Sequence, residues 1–309
     1  MTGQGLDFHY RAHGLDISSE IEFPEASPRA PGAADAIIRY GAVPPSIGNA
    51  VACGTRHRIA PGECLLDFPG VARFWVRAGR EVTVAPEPGA SAEDLRAGIL
   101  SNVMGALVYQ HGLFPLHASA VDLGGECVLF MGASGAGKST LAAACHARGL
   151  SVYSDDLSAI AAVGHTSPMV HPGYRVLKLC DNSLNGLGPA LGGLRSLAVR
   201  LGKQHIALPQ ARPLPALPVR AIFAITPGAE GVSALSPLQG ADKIRLLLRE
   251  TYRRRMFSGL GRQADHFTLA ARIARDTPVS LLPRPDGLAG VLRLVDQLGE
   301  LAPARRRTP

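Results

Sequence analysis

Aromatic residues are scarce in this chain of 309 residues: nine Phe, six Tyr and one Trp. They do not interleave with basic residues in the repeat that single-stranded nucleic acid requires, so no nucleic-acid partner is implied. Cysteines are fewer still, five in all, at Cys53, Cys64, Cys127, Cys145 and Cys180, with no CxxC pair. That scatter excludes a zinc ribbon or a disulfide scaffold and leaves the thiols as small apolar packing groups. No apolar run is long enough to span a bilayer. The opening stretch MTGQGLDFHYRAHGLDISSE is too polar and too acidic for a signal peptide. A cytoplasmic protein without a membrane partner is the expectation. Charged residues make up 18% of the chain against 46% hydrophobic, the balance of an ordinary globular protein.

The net charge is +7, and part of it sits in two runs, Arg253 to Arg255 and Arg305 to Arg307. The second run lies in PARRRTP, expected to be a frayed tail. The first is the solvated face of a helix on charge pattern alone, or else a group that neutralises phosphates or an acidic peptide.

Residues 1–90 carry short β-branched and aromatic stretches punctuated by Pro and Gly, such as ARFWVRAGREVTVAP, and are expected to form a small β-rich N-terminal domain. A connecting helix over 91–112 follows, with Ser91 as N-cap, Asp94 three residues on and Gly112 at its end. From residue 113 to 309 strands alternate with helices, which predicts an α/β domain built on a mainly parallel sheet. Gly124-Gly125 marks a hairpin between PLHASAVDL and ECVLFM. VRAIFAI is a further buried strand, and DKIRLLLRETYRRRMF and DGLAGVLRLVDQLGEL read as helices. LPQARPLPALPV is proline-rich and is expected to be a loop or linker.

The strongest signal runs from Gly132 to Ser139. Gly132-Ala133-Ser134-Gly135-Ala136-Gly137-Lys138-Ser139 fits GxxxxGK[ST], followed by Thr140, with strand before it and helix after it. Such a loop curls its backbone N–H groups toward phosphate oxygens, and the helix dipole adds positive charge at the same point. Lys138 is placed to reach the terminal phosphates of ATP, and the Ser139 hydroxyl to ligate Mg²⁺.

Asp155 and Asp156 end the next strand, at the edge where α/β sheets bind ligands. One carboxylate is enough to hold Mg²⁺ through water. A second suits the acceptance of a proton from an attacking hydroxyl. The bland alternative is a turn aspartate beside a solvated one. His117, 21 residues before Lys138, shares a strand face with Ser119 and Val121. By itself it reads as a structural hydrogen-bonding residue.

In layout these residues resemble the HPr kinase/phosphorylase family. That family has a His-bearing strand, a G-x-S-G-x-G-K-S loop, a helix ending in Arg-Gly and a strand ending in Asp-Asp. Here the parts are His117, Gly132 to Ser139, Arg148-Gly149 and Asp155-Asp156, over residues 113–160. The resemblance implies a P-loop kinase domain of the HPr kinase C-terminal type, using ATP and Mg²⁺. It implies Asp156 as general base, His117 tied to the aspartate pair, Lys138 stabilising the transferred phosphoryl group, and Ser139 and Asp155 holding the metal. It also implies a homo-oligomer.

Two features of the bifunctional family are missing here, an Arg/Gly-rich motif after the aspartates and a later Pro-Val-Arg-Pro-Gly-Arg loop, so no phosphorylase activity is expected. Pro172 to Ser183 instead is similar to the PGYP-x-[LI]-[RK]-L-W-x-D-S pattern of HPr-kinase-related serine kinases, with Cys180 where tryptophan is usual. Some of those relatives phosphorylate the C-terminal serine of lasso-peptide precursors. On that resemblance Asp181 is a candidate second metal ligand and Arg175 and Lys178 are candidate phosphate contacts, against a turn aspartate and solvated strand-edge charges on pattern alone; Lys203 is a further cation for the phosphates or an acidic peptide.

Three functions stay open on sequence. The first is a kinase acting on a serine of a protein or peptide. The second is a small-molecule or carboxykinase-like kinase, which needs a closed set of metabolite contacts that the sequence does not display. The third is a nucleotide-dependent switch, which calls for a water-positioning glutamine or glutamate near the loop.

Overall fold

The computed structural model describes residues 5–301 except 163, 165, 192–193, 195, 201–202, 210–213 and 229–234. The Arg305–Arg307 run and the middle of the proline-rich stretch lie outside the described residues.

The chain is mixed α/β. Nine strands come first: β1 (Phe8–Ala12), β2 (Leu15–Ser19), β3 (Ser27–Pro28), β4 (Ala36–Tyr40), β5 (Ala52–Gly54), β6 (His57–Ala60), β7 (Glu63–Phe68), β8 (Ala72–Arg77) and β9 (Glu81–Pro86). They form one sheet in the order β3-β1-β2-β4-β9-β8-β7-β6-β5. Period-two burial shows why: along β8, Ala72, Phe74 and Val76 turn inward while Arg73, Trp75 and Arg77 do not. The inward face needs a cover, and a helical stretch supplies it. This is α1 (Ala92–Gly98), a π-helical turn (Ile99–Val103) and α2 (Met104–Gln110). Ser91 caps it as expected, its hydroxyl accepting from the Asp94 N–H at 3.0 Å. Leu95, Ile99, Val103 and Leu107 join Ile38, Phe74 and Val84 in one buried cluster. Leu157, Tyr174 and Tyr252, from the second half of the chain, complete that cluster and bring the first sheet up behind the site described below.

The second sheet holds β10 (Phe114–Leu116), β11 (Ala118–Asp122), β12 (Cys127–Met131), β13 (Val152–Ser154), β14 (Ser158–Ala161), β15 (Met169–His171), β16 (Leu217–Pro227), β17 (Ser236–Pro237) and β18 (Val279–Arg284). It is mixed rather than mainly parallel. Only β12, β16 and β18 run parallel at its centre; the β10–β14–β15–β16 and β12–β11–β13 pairings are antiparallel. The reason is the tight Gly124-Gly125 hairpin, which forces β11 to run against β12. β12 and β13 both run against β11. Their carboxyl ends therefore share the edge at which β11 begins, with His117 immediately before it.

The described helices of this half are α3 (Lys138–Ala147), α4 (Asp181–Leu187), α5 (Gly240–Arg249), α6 (Arg254–Phe257), α7 (Gln263–Asp276), α8 (Gly287–Asp296) and α9 (Leu298–Leu301). A three-stranded ribbon of residues 176–180, 196–200 and 203–207 packs beside α3, with Leu177, Leu179 and Ile206 in the α3 cluster.

Three further sequence expectations are corrected. DGLAGVLRLVDQLGEL is two helices, α8 and α9, breaking at Gln297. Leu217 to Val219, at the end of the proline-rich stretch, already belong to β16 of the second sheet. DKIRLLLRETYRRRMF is not continuous either. Helix α5 stops at Arg249 because the next residues pair with the chain at β10. His117 N–H donates to Glu250 O at 2.9 Å, Tyr252 N–H donates to Pro115 O at 2.8 Å, and Leu116 and Thr251 form a bridge. Arg253 takes a left-handed φ of 50° before α6 starts. No helix among the described residues is long and apolar enough to cross a membrane.

Candidate active site

The glycine loop sits where the sequence puts it, between the end of β12 and the start of α3. Gly137 is the cap residue of α3 at φ 100°, and no side chain caps that helix end. The first N–H groups of a ten-residue helix are thus left for an outside partner, with no acidic residue in the first turn. Gly132 adopts φ 144°, and a Cβ there would come within 3.2 Å of the Ile225 carbonyl. Backbone conformation and close approach both demand glycine at these two positions. Lys138 folds back along the loop, its Nζ donating to the carbonyls of Gly132 at 2.8 Å and Ala133 at 3.1 Å. Burial pushes its ammonium down, against the pull of Asp155, Asp156 and Glu250.

Asp155 is buried and accepts three hydrogen bonds. Its Oδ1 accepts from Ser119 Oγ at 2.6 Å and Ser139 Oγ at 3.0 Å, and its Oδ2 accepts from the Lys178 backbone N–H at 2.9 Å. Asp156 turns the other way. It adopts φ 75°, a left-handed conformation that Asp tolerates better than most residues. Lys178 Nζ lies 2.7 Å from its Oδ2 and His117 Nε2 lies 3.3 Å from its Oδ1. The Tyr252 hydroxyl donates to Oδ2 at 3.4 Å. Burial alone would raise the Asp156 carboxyl, but Lys178 and His117 outweigh it and hold it well below the usual carboxylate range. Burial and the Asp156 charge together raise the Tyr252 phenol, which stays a neutral donor.

A cleft of about 140 Å³ opens here, lined by His117, Ser134, Gly135 and residues 137–140 of the loop and α3, with Asp156, Lys178, Cys180 and Lys203. Thr140 Oγ1 is 2.8 Å from Ser183 Oγ, which ties α3 to α4. Among the expected residues, Asp181 and Arg175 are not gathered here. Asp181 is exposed at the start of α4, accepting from Gln204 Nε2 at 3.3 Å. Arg175 lies within electrostatic reach of Tyr153 and His146, its Nε buried without a partner. Ser119 and Tyr252 enter the site without having been named for it. Ser119 was legible as sharing a face with His117. Tyr252 was hidden in a stretch whose apolar spacing imitates a helix.

The donor set fits Mg²⁺ with ATP. Ser139 and Asp155 offer a hydroxyl and a carboxylate side by side, and Mg²⁺ is held by one or two carboxylates together with nucleotide phosphates rather than by a protein cage. No cluster of three or more His, Cys, Asp or Glu suited to a metal occurs among the described residues.

No family model matches the chain and no curated protein matches it. Among solved structures, the HPr(Ser) kinase/phosphatase from Coxiella burnetii is similar at 13% identity, over 60% of this chain and 94% of that one, with a TM-score of 0.32. At that score the functional reading rests on the geometry of the site itself.

Proposed function

We propose that the chain is an ATP-dependent kinase that transfers the γ-phosphate to a serine hydroxyl of a protein or peptide, without the reverse phosphorolytic reaction. The observation that carries the reading is the division of labour between the two aspartates. Asp155 is committed to Ser119, Ser139 and the Lys178 backbone N–H, while Asp156 faces the cleft and is not bonded to the loop. Hydrolysis to drive a switch has no use for that second carboxylate.

In this reading the loop N–H groups and Lys138 hold the phosphates, and Ser139 and Asp155 hold the metal. Bound Mg²⁺ supplies neutralisation of charge on the phosphates. Asp156 accepts the hydrogen bond of the serine hydroxyl and aims its oxygen at the phosphorus. Lys178 and His117 keep this carboxylate ionised, so it is a weak base. Weak basicity suffices for a loose phosphoryl-transfer transition state, in which positioning and charge stabilisation dominate. Once Lys138 swings from the Gly132 and Ala133 carbonyls to the nucleotide, Lys138, Lys178 and Lys203 surround the transferred charge. The bond formed is serine Oγ to phosphorus, the bond broken is that to the ADP oxygen, and the serine proton passes to Asp156.

A protein such as HPr and a lasso-peptide precursor ending in serine are the acceptor classes that the sequence resemblance brings forward. Intact-mass measurement on such acceptors after incubation with Mg-ATP tests the reading, with D156N as control. A phosphate added by the wild type alone supports it. ATP consumed with every acceptor unmodified overturns it.

A further inference from the structure

A second depression, of about 490 Å³, opens beside Tyr252. Five arginines line it: Arg249, Arg253, Arg254 and Arg255 from the α5–α6 segment, and Arg56 from the turn between β5 and β6. No acidic side chain lines it. Arg249 is paired with Glu250 at 2.9 Å, and Arg253 lies over the Tyr252 ring at 5.6 Å. Arg56, Arg254 and Arg255 are exposed and have no carboxylate partner among the described residues. Phe68 and Met256 add apolar surface between the charges.

The place of this groove is fixed by the same device that broke the helix. Residues 250–252 pair with residues 115–117, so Tyr252 reaches Asp156 while Thr251 and Arg253, on either side of it, face the groove. The left-handed φ of Arg253 turns the chain at that point, a conformation that costs free energy in a non-glycine residue. Arg253 lies within electrostatic reach of Asp156, so the groove borders the carboxylate that would receive the serine.

We propose that this groove is the acceptor-docking surface and that it takes an acidic peptide segment flanking the phosphorylated serine. The proposal rests on the kinase reading for the serine, and on the groove alone for the acidic flank. Guanidinium groups suit carboxylates through forked hydrogen bonds. A nucleic acid fits less well, because stacking needs a series of aromatic faces and Phe68 is the lone aromatic residue of the carbocyclic kind in the lining. The charges are exposed, so the attraction is screened by salt.

Fluorescence anisotropy with labelled serine peptides tests this. One peptide carries Glu on both sides of the serine, a second has Gln in place of every Glu, and an oligonucleotide of equal charge serves as competitor. The Glu peptide is expected to bind at least about tenfold more tightly than the Gln peptide. R254E/R255E should lose about tenfold or more, R254Q/R255Q an intermediate amount, and ATP affinity, which also reports folding, should stay unchanged in both. Raising salt to roughly 0.5 M should weaken the wild-type complex. Equal binding of the Glu and Gln peptides, or unchanged binding in both arginine variants, overturns the proposal. So does an oligonucleotide that binds as tightly and displaces the peptide, which would make the groove a general polyanion surface. Phosphate transfer read in the same samples separates the two readings. A Glu peptide that binds through the arginines but is never phosphorylated leaves the groove and removes the kinase. Transfer to Glu and Gln peptides at equal rates leaves the kinase and removes the groove.

Discussion

Lys178 holds Asp156 in a 2.7 Å ion pair at the mouth of the glycine-loop cleft. The pair makes Asp156 a fixed, ionised hydrogen-bond acceptor, and it places an ammonium where a phosphoryl group would pass. His117 and Tyr252 hold the same carboxylate from two other segments, one just before β11 and one after α5. Three elements far apart in sequence thus aim one side chain, which is the pre-organisation that positioning catalysis requires.

D156N should retain ATP binding and lose transfer, because the loop and Asp155 are untouched and Asn tolerates the left-handed φ of that position. It also strands Lys178. The expected loss of stability is about 1–3 kcal/mol, less than for a fully buried pair, since the two side chains remain 23% and 26% exposed. D156N/K178M should regain that stability without regaining transfer. Urea unfolding and a phosphate-transfer assay on both variants separate the two roles; transfer restored in the double variant would end the assignment.

K138A should abolish measurable nucleotide binding. It also removes two hydrogen bonds to loop carbonyls, so the free protein should lose about 1–2 kcal/mol. Calorimetric titration with Mg-ATP checks the first effect, and ATP affinity retained in K138A would contradict the loop assignment.

Y252F removes one donor to Asp156 and leaves the ring packing against Arg253. Transfer should fall several-fold while ATP affinity stays at the wild-type value. An unchanged rate would reduce Tyr252 to a packing residue of the core cluster.

Acid should weaken the fold through His13, which lies buried with both ring nitrogens unpartnered. Burial, with His171 and Lys178 adding to it, lowers this imidazole from 6.5 to about 3. His266 is lowered to about 4 by burial as well. Below about pH 6.5 the unfolded chain takes up these protons and the folded chain does not, so stability falls as pH drops through that window. The slope is about 1.4 kcal/mol per pH unit for each histidine. Urea midpoints at pH 7 and pH 5 measure it. H13N, in which Asn accepts the left-handed φ of 55°, should show the shallower slope.

The glycine loop, its flanking strand and helix, and the aspartate pair were legible because each rests on local rules: a fixed spacing, a cap, a strand end. The Ser91 cap and the Gly124-Gly125 hairpin were legible for the same reason. The mixed direction of the sheet was not, since β13 returns to pair with β11, and β10, β14 and β15 extend the other side, through long-range pairings that no local pattern encodes. Tyr252 was lost for a related reason. The stretch from Asp242 to Phe257 has helical spacing throughout, and only a tertiary partner, the chain at Pro115 to His117, unwinds its middle. Asp181 and Arg175 share the Pro172 to Ser183 stretch with Lys178, but of the three only Lys178 lines the cleft.

The most direct measurement follows the fate of the γ-phosphate. Wild type and D156N are incubated with Mg-ATP, with and without a serine-bearing acceptor, and ADP, free phosphate and phosphorylated acceptor are quantified together. A kinase forms ADP and phosphorylated acceptor in equal amounts, only when acceptor is present, and D156N forms neither. ADP matched by free phosphate, at the same rate with or without acceptor and in both proteins, would contradict the account.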